Sequence, residues 1–230
     1  MNRFARVLAG FTFLAWTNAQ AGFLYLENFS SDNGSYVGST ENTAPAWTWD
    51  GVETWSIGSP PEDGVTNKNA RLTSPNIVIP VAGSVELRFA HRYSIEPSWD
   101  GAAVFLSING GAFAQIADLS FSQNGYTFSG LLGAHALGGG TGFNGDSANF
   151  LAGDFITSIA QLGSVAAGDA IRLQFLMAFD QFAQGNSAPP SWQIDSVSLY
   201  VPEPPVTFLL ALGLLGLVVA RRKKSASQRA

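Results

Sequence analysis

His91 and His135 are the only histidines among 230 residues, and the chain has no cysteine. A zinc centre built from imidazole and thiolate therefore has little to draw on, and no His-Glu-x-x-His pattern supplies one. Counting alone leaves a Ser-His-Asp triad open, but the Gly-x-Ser-x-Gly turn that exposes a nucleophile is missing. His91 stands between Ala90 and Arg92 in an alternating run and reads as a structural strand residue with a hydrogen-bonded ring. A glycosidase needs two carboxylates at a set separation, a quantity that a sequence does not carry. Asp100 precedes Gly101 and reads as a turn residue; Glu96 beside it and Asp180, closing a later strand, are weak metal candidates for the same reason. Trp47, Trp49, Trp55 and Trp99 could offer ring faces to sugars. Trp47 and Trp49 have the same parity, so one strand would present both on one face. The competing reading is that they fill a core, where tryptophan is mostly found.

The elements that must position these groups are strands. Ser84 to Tyr93 alternates apolar and polar side chains, the period of a half-buried strand. Ala103 to Ile108 is more continuously apolar and reads as a more buried one; it ends in Asn109-Gly110-Gly111, a tight-turn signal into Phe113 to Ile116. Ala170 to Phe179 alternates again, and Ser191 to Tyr200 is the last strand. No convincing amphipathic helix interrupts these runs. The fold class is all-β: an antiparallel β-sandwich, specifically a jelly roll. Gly130 to Gly145 holds seven glycines in sixteen residues and little that could pack, so a mobile loop at the rim is expected. A phosphate cradle there lacks both its lysine and its following helix.

The charge is unevenly distributed. Between Gly22 and Tyr200 stand 16 acidic and 5 basic residues, whereas the last ten residues carry Arg221, Arg222, Lys223, Lys224 and Arg229. An acidic domain argues against nucleic acid, which selects clustered Lys and Arg. Without cysteine, the fold must rest on packing, with a metal as the one further aid.

Both ends read as processing segments. Residues 1–21 begin with Arg3 and Arg6, run apolar from Val7 to Trp16 and close on Ala19-Gln20-Ala21, the pattern of a helical signal peptide. The domain then spans 22–200. Residues 201–230 open with Val201-Pro202-Glu203-Pro204-Pro205, continue as an apolar helix over 206–220, and end in the Arg221-Arg222-Lys223-Lys224 cluster. Fifteen apolar residues just cross a thin membrane, and the cations hold their end on the cytoplasmic side.

This three-part tail resembles the PEP-CTERM sorting signal of Gram-negative bacteria. The resemblance implies recognition by an exosortase, with Pro202, Glu203 and Pro204 as the motif and Arg221 and Arg222 as its basic end. It also implies export, transient anchoring in the inner membrane, and release to the cell surface or an exopolysaccharide matrix of the biofilm kind.

A second, looser resemblance covers most of the domain. Ser74-Pro75-Asn76-Ile77-Val78-Ile79, Leu87 to Tyr93, Glu96 to Gly101, Phe143-Asn144-Gly145, Leu173-Gln174-Phe175 and Trp192 to Val197 resemble MAM-like jelly rolls and the accessory domains of immune inhibitor A-type metallopeptidases. Such domains are non-catalytic and serve adhesion, carbohydrate contact or architecture. In related jelly rolls the first and last strands meet. The resemblance therefore nominates Glu27 and Asp195 for a structural Ca2+, although the second of two adjacent acids often found in the last strand is Ser196 here. The expectation is a non-enzymatic surface or matrix protein. Its alternative is a carbohydrate-binding module using Trp47 and Trp49, and an exported hydrolase ranks third.

Overall fold

The computed structural model describes residues 22–181 and 190–201. Residues 1–21, expected to be a signal segment, and the tail from Pro202 onward, with its expected helix over 206–220, lie outside the described residues. Among these there is no α-helix, and none long and apolar enough to cross a membrane.

In chain order the strands are β1 (Gly22–Glu27), β2 (Val37–Glu41), β3 (Thr48–Trp49), β4 (Trp55–Ile57), β5 (Lys68–Thr73), β6 (Ile77–Val78), β7 (Gly83–Ile95) and β8 (Gly101–Ile108). They continue as β9 (Ala114–Gln115), β10 (Phe121–Gln123), β11 (Phe128–Ser129), β12 (Thr141–Gly142), β13 (Gly145–Asp146), β14 (Ile156–Val165), β15 (Ala170–Phe179) and β16 (Trp192–Val201). One sheet runs β10-β14-β7-β16-β4-β3, with β1 also on β16 and β13 on β7; the other runs β2-β5-β15-β8-β9, with β6 on β15. All neighbours are antiparallel.

Alternation decides what faces inward. In β7, Val85, Leu87, Phe89, His91, Tyr93 and Ile95 are buried while Arg88 and Arg92 keep partial exposure. β15 answers from the opposite sheet with Ile171, Leu173, Phe175, Met177 and Phe179. Phe89 and Phe175 meet edge to face across the sandwich at 5.6 Å, and Trp192 stands 5.8 Å from Phe175. The Asn109-Gly110 turn takes positive φ at both residues, as a two-residue hairpin connection requires.

The glycine-rich segment departs from expectation. It is packed, not a loose rim. Leu131 and Leu137 are buried on the outer face of the second sheet against Ala103, Leu176 and Ala178, forming a satellite core. Phe143 is fully buried in the main core, and backbone bonds in both directions tie it to Ala102. The segment closes on itself through β11 and β12 and through Gly139 N–H to Leu131 O. Its glycines allow close approach: a Cβ on Gly142 would stand 2.8 Å from the Ala102 carbonyl, and one on Gly133 would run into the Trp99 carbonyl and the His135 ring. Because this cover lies over β8 and β15, Ala102–Val104 and Phe175–Phe179 are buried on both faces, which accounts for the loss of alternation there.

Candidate functional site

The connection from β7 to β8 crosses between the sheets at one end of the sandwich. Asn144 shapes it. Its Nδ2 donates to the carbonyls of Glu96 and Asp100 at 2.8 Å each, and its Oδ1 accepts the Ser98 N–H at 3.1 Å. Ser98 takes φ +70°, and the glycine-rich segment braces the next residue: His135 Nε2 and Gly133 N–H both donate to the Trp99 carbonyl. Burial pushes the His135 pKa below the usual imidazole value, which keeps Nδ1 free to accept the Leu137 N–H at 3.1 Å.

This connection brings Glu96 and Asp100 to Asp180, the residue after β15. One carboxylate oxygen from each lies within 4.8 Å of the other two. Asp100 is 1% exposed; its Oδ1 accepts the Asp180 N–H at 2.9 Å, while its Oδ2 is buried without a hydrogen-bond partner. Burial above all pushes the Asp100 carboxyl up to about 8, and the charges of Asp180 and Glu96 push the same way against the Asp180 N–H bond. The neighbouring cation, Lys68, is fully buried and committed elsewhere: its ammonium pairs with Asp63 at 2.7 Å and donates to the carbonyls of Pro61 and Gln181. A cleft of about 510 Å³ opens over the group, lined by Thr66, Glu96, Trp99, Leu132, Asp180 and Gln181. Trp99 is 44% exposed there. Three converging carboxylates can hold a hard cation, and an open indole face can stack on a ring.

The other nominated residues are placed differently. Among the described residues, the Glu96-Asp100-Asp180 group is the one convergence of three or more acidic or histidine side chains, so Glu27 and Asp195 are not part of one. Glu27 pairs with Val197 in the register of β1 on β16, and its Oε1 accepts the Phe29 N–H at 2.7 Å. Asp195 sits at the bulge of β16 on β7, where partial burial raises its pKa. Trp47 belongs to the core. It is 5% exposed, its ring lies 5.5 Å from Trp192, and its Nε1 donates to the Ala70 carbonyl at 3.3 Å, leaving no face for a sugar. Trp49 is half-buried against the same core with its Nε1 enclosed.

His91 is likewise spent inside. It is fully buried, accepts from Trp192 Nε1 on Nδ1 at 3.0 Å, and donates from Nε2 to Ser158 Oγ at 2.7 Å, which in turn donates to the Asn124 carbonyl. No substrate reaches such a ring. Asn144, Lys68 and Trp99 are the site residues that sequence reasoning passed over or ranked low. The one signal for Asn144 was its place in the Phe143-Asn144-Gly145 stretch.

No curated protein matches the sequence. Solved structures with a similar fold include an exo-β-1,3-galactanase from Phanerochaete chrysosporium, at 14% identity and TM-score 0.32, covering 79% of this chain but 29% of that one. They also include the K3 cleaved adhesin domain of Lys-gingipain from Porphyromonas gingivalis W83, at 14% identity and TM-score 0.41, with 79% and 100% covered. A third is the carbohydrate-binding module TmCBM27, studied for mannan recognition, at 12% identity and TM-score 0.40, with 80% and 99% covered. The chain thus spans less than a third of the galactanase. Its C-terminal residues 201–224 match the PEP-CTERM protein-sorting motif.

Proposed function

We propose that the chain is an exported surface or matrix protein, sorted by an exosortase through its tail, whose β-sandwich is a non-catalytic binding and architectural domain. The observation that carries this reading is the match of residues 201–224 to the sorting motif, which begins at Val201, the last residue of β16. Pro202 and Pro204 cannot extend a ladder, so the motif starts where the sheet stops. The apolar run over 206–220 and the cations from Arg221 would hold the precursor in the inner membrane until it is processed. The resemblance of the strand motifs to MAM-like domains points the same way. Mass spectrometry of the C-terminus tests it: cells with the exosortase should yield a chain ending near Pro202 to Pro204, and cells without it the intact tail. An intact Arg221-Arg222-Lys223-Lys224 end in normal cells would overturn the reading.

A second reading, recognition of the cell's own polysaccharide, is favoured by one observation. Trp99 is a half-exposed indole beside carboxylates in an open cleft, the combination that stacks on a sugar ring and accepts its hydroxyls.

A further inference from the structure

The geometry points to a divalent-cation site of calcium's size and hardness at Glu96, Asp100 and Asp180. It goes beyond the sorting reading and does not depend on it. Two oxygens bound to one Ca2+ at about 2.4 Å can stand at most about 4.8 Å apart, and the three carboxylate oxygens lie within 4.8 Å of one another. The group therefore meets the spacing that a shared ion requires.

The second observation is Asp100 itself. Its side chain is 99% enclosed, it contributes an oxygen to the group, and its Oδ2 finds no hydrogen-bond donor. Leaving such an oxygen unpaired costs about 1–3 kcal/mol, and more for a charged group. Among the described residues no protein donor reaches it. The three protons of the Lys68 ammonium are taken up by Asp63, Pro61 and Gln181. Asn144, the other donor at this turn, spends both its Nδ2 protons on the backbone carbonyls of Glu96 and Asp100. Asn144 therefore acts as a positioning residue: it folds the chain so that Glu96, at the end of one sheet, converges with Asp100 and Asp180 at the end of the other.

The position gives the ion a structural task. Glu96 follows β7 in one sheet, Asp180 follows β15 in the other, and Asp100 precedes β8. A bound ion ties the two sheets together at one end in a chain that has no disulfide. It also fixes the turn that carries Trp99, while the open cleft leaves coordination positions for water or a ligand oxygen.

Terbium, which replaces calcium on oxygen ligands and emits when a nearby tryptophan is excited, is the probe. Purified full-length protein stripped with chelator should give tryptophan-sensitised Tb3+ emission that excess Ca2+ displaces, and its melting temperature should rise with Ca2+ and fall with chelator. Glu96→Gln and Asp180→Asn change partly exposed carboxylates and should fold, yet lose both responses; Glu27→Gln should keep both. Emission and a melting response that survive Glu96→Gln and Asp180→Asn, or a wild type with neither response, would overturn the site.

Discussion

His91 accepts on Nδ1 and donates on Nε2, so a second proton would displace the Trp192 bond and place an imidazolium among Phe89, Tyr93 and Phe143. Burial lowers its pKa to about 3. The sign follows from linkage. In the unfolded chain His91 protonates near pH 6.5 and in the fold it does not, so its contribution is complete above pH 6.5 and is lost as pH falls toward 3. A tenfold difference in proton affinity between the two states is worth ~1.4 kcal/mol, which makes the full effect several kcal/mol. His135 acts in the same sense and Asp100, with its raised pKa, in the opposite one. The comparison that isolates His91 is the wild type against His91→Gln. The variant should be less stable at pH 7 but lose less further stability between about pH 6.5 and 4.5 in urea melts. Equal losses would show that the ring is not held neutral.

The same scale explains why Glu96, Asp100 and Asp180 read in the sequence only as weak metal candidates. Asp100 and Asp180 are 80 positions apart, and each, beside a turn, has an ordinary local explanation. What distinguishes Asp100 is enclosure, and nothing in Trp99-Asp100-Gly101 encodes that. Parity puts Trp47 and Trp49 on one face but does not say whether that face is the wet one; Trp47 lies in the core and Trp49 is half-buried against it.

At the scale of elements, the long strands were legible because their side chains obey the period of two: β7 and β15 fall over the alternating runs read at Ser84–Tyr93 and Ala170–Phe179. The glycine-rich segment was not, because its two buried leucines, Leu131 and Leu137, stand among glycines and alanines with no strand period and look incidental. Its signature was in the strands it covers, where alternation gives way to unbroken apolar stretches. Adjacent leucines test this packing. Leu131 is 2% exposed and Leu132 is 61% exposed. Leu131→Ala should cost about 2–3 kcal/mol, toward the lower end for buried leucine because the satellite core can relax, whereas Leu132→Ala should stay within about 0.5 kcal/mol. Chemical denaturation measures both, and matching values would mean that the segment is the loose rim its composition suggests.

At the scale of the whole domain, β7 sets the distance between Val201 and the Trp99 cleft. Its first residue, Gly83, lies against Val201, where the sorting motif begins, and β1 starts beside it with Gly22 paired to Val201. Its last residue, Ile95, leads into Glu96 and the Trp99 cleft. Thirteen residues of extended chain at about 3.3 Å each separate the two by roughly 40 Å. The Trp99 cleft therefore lies at the end of β7 away from Val201, and the ligand proposed for it is a matrix polymer. If that polymer is the ligand, Trp99 is the side chain to remove. Trp99→Ala takes away a half-exposed ring and no core contact, so melting should change little while retardation of the protein in gels containing the cell's polysaccharide disappears. Trp47→Ala should instead lower the melting temperature, because it opens a cavity beside Trp192. Retardation that persists in Trp99→Ala would remove the cleft from polysaccharide recognition and leave the sandwich an architectural role.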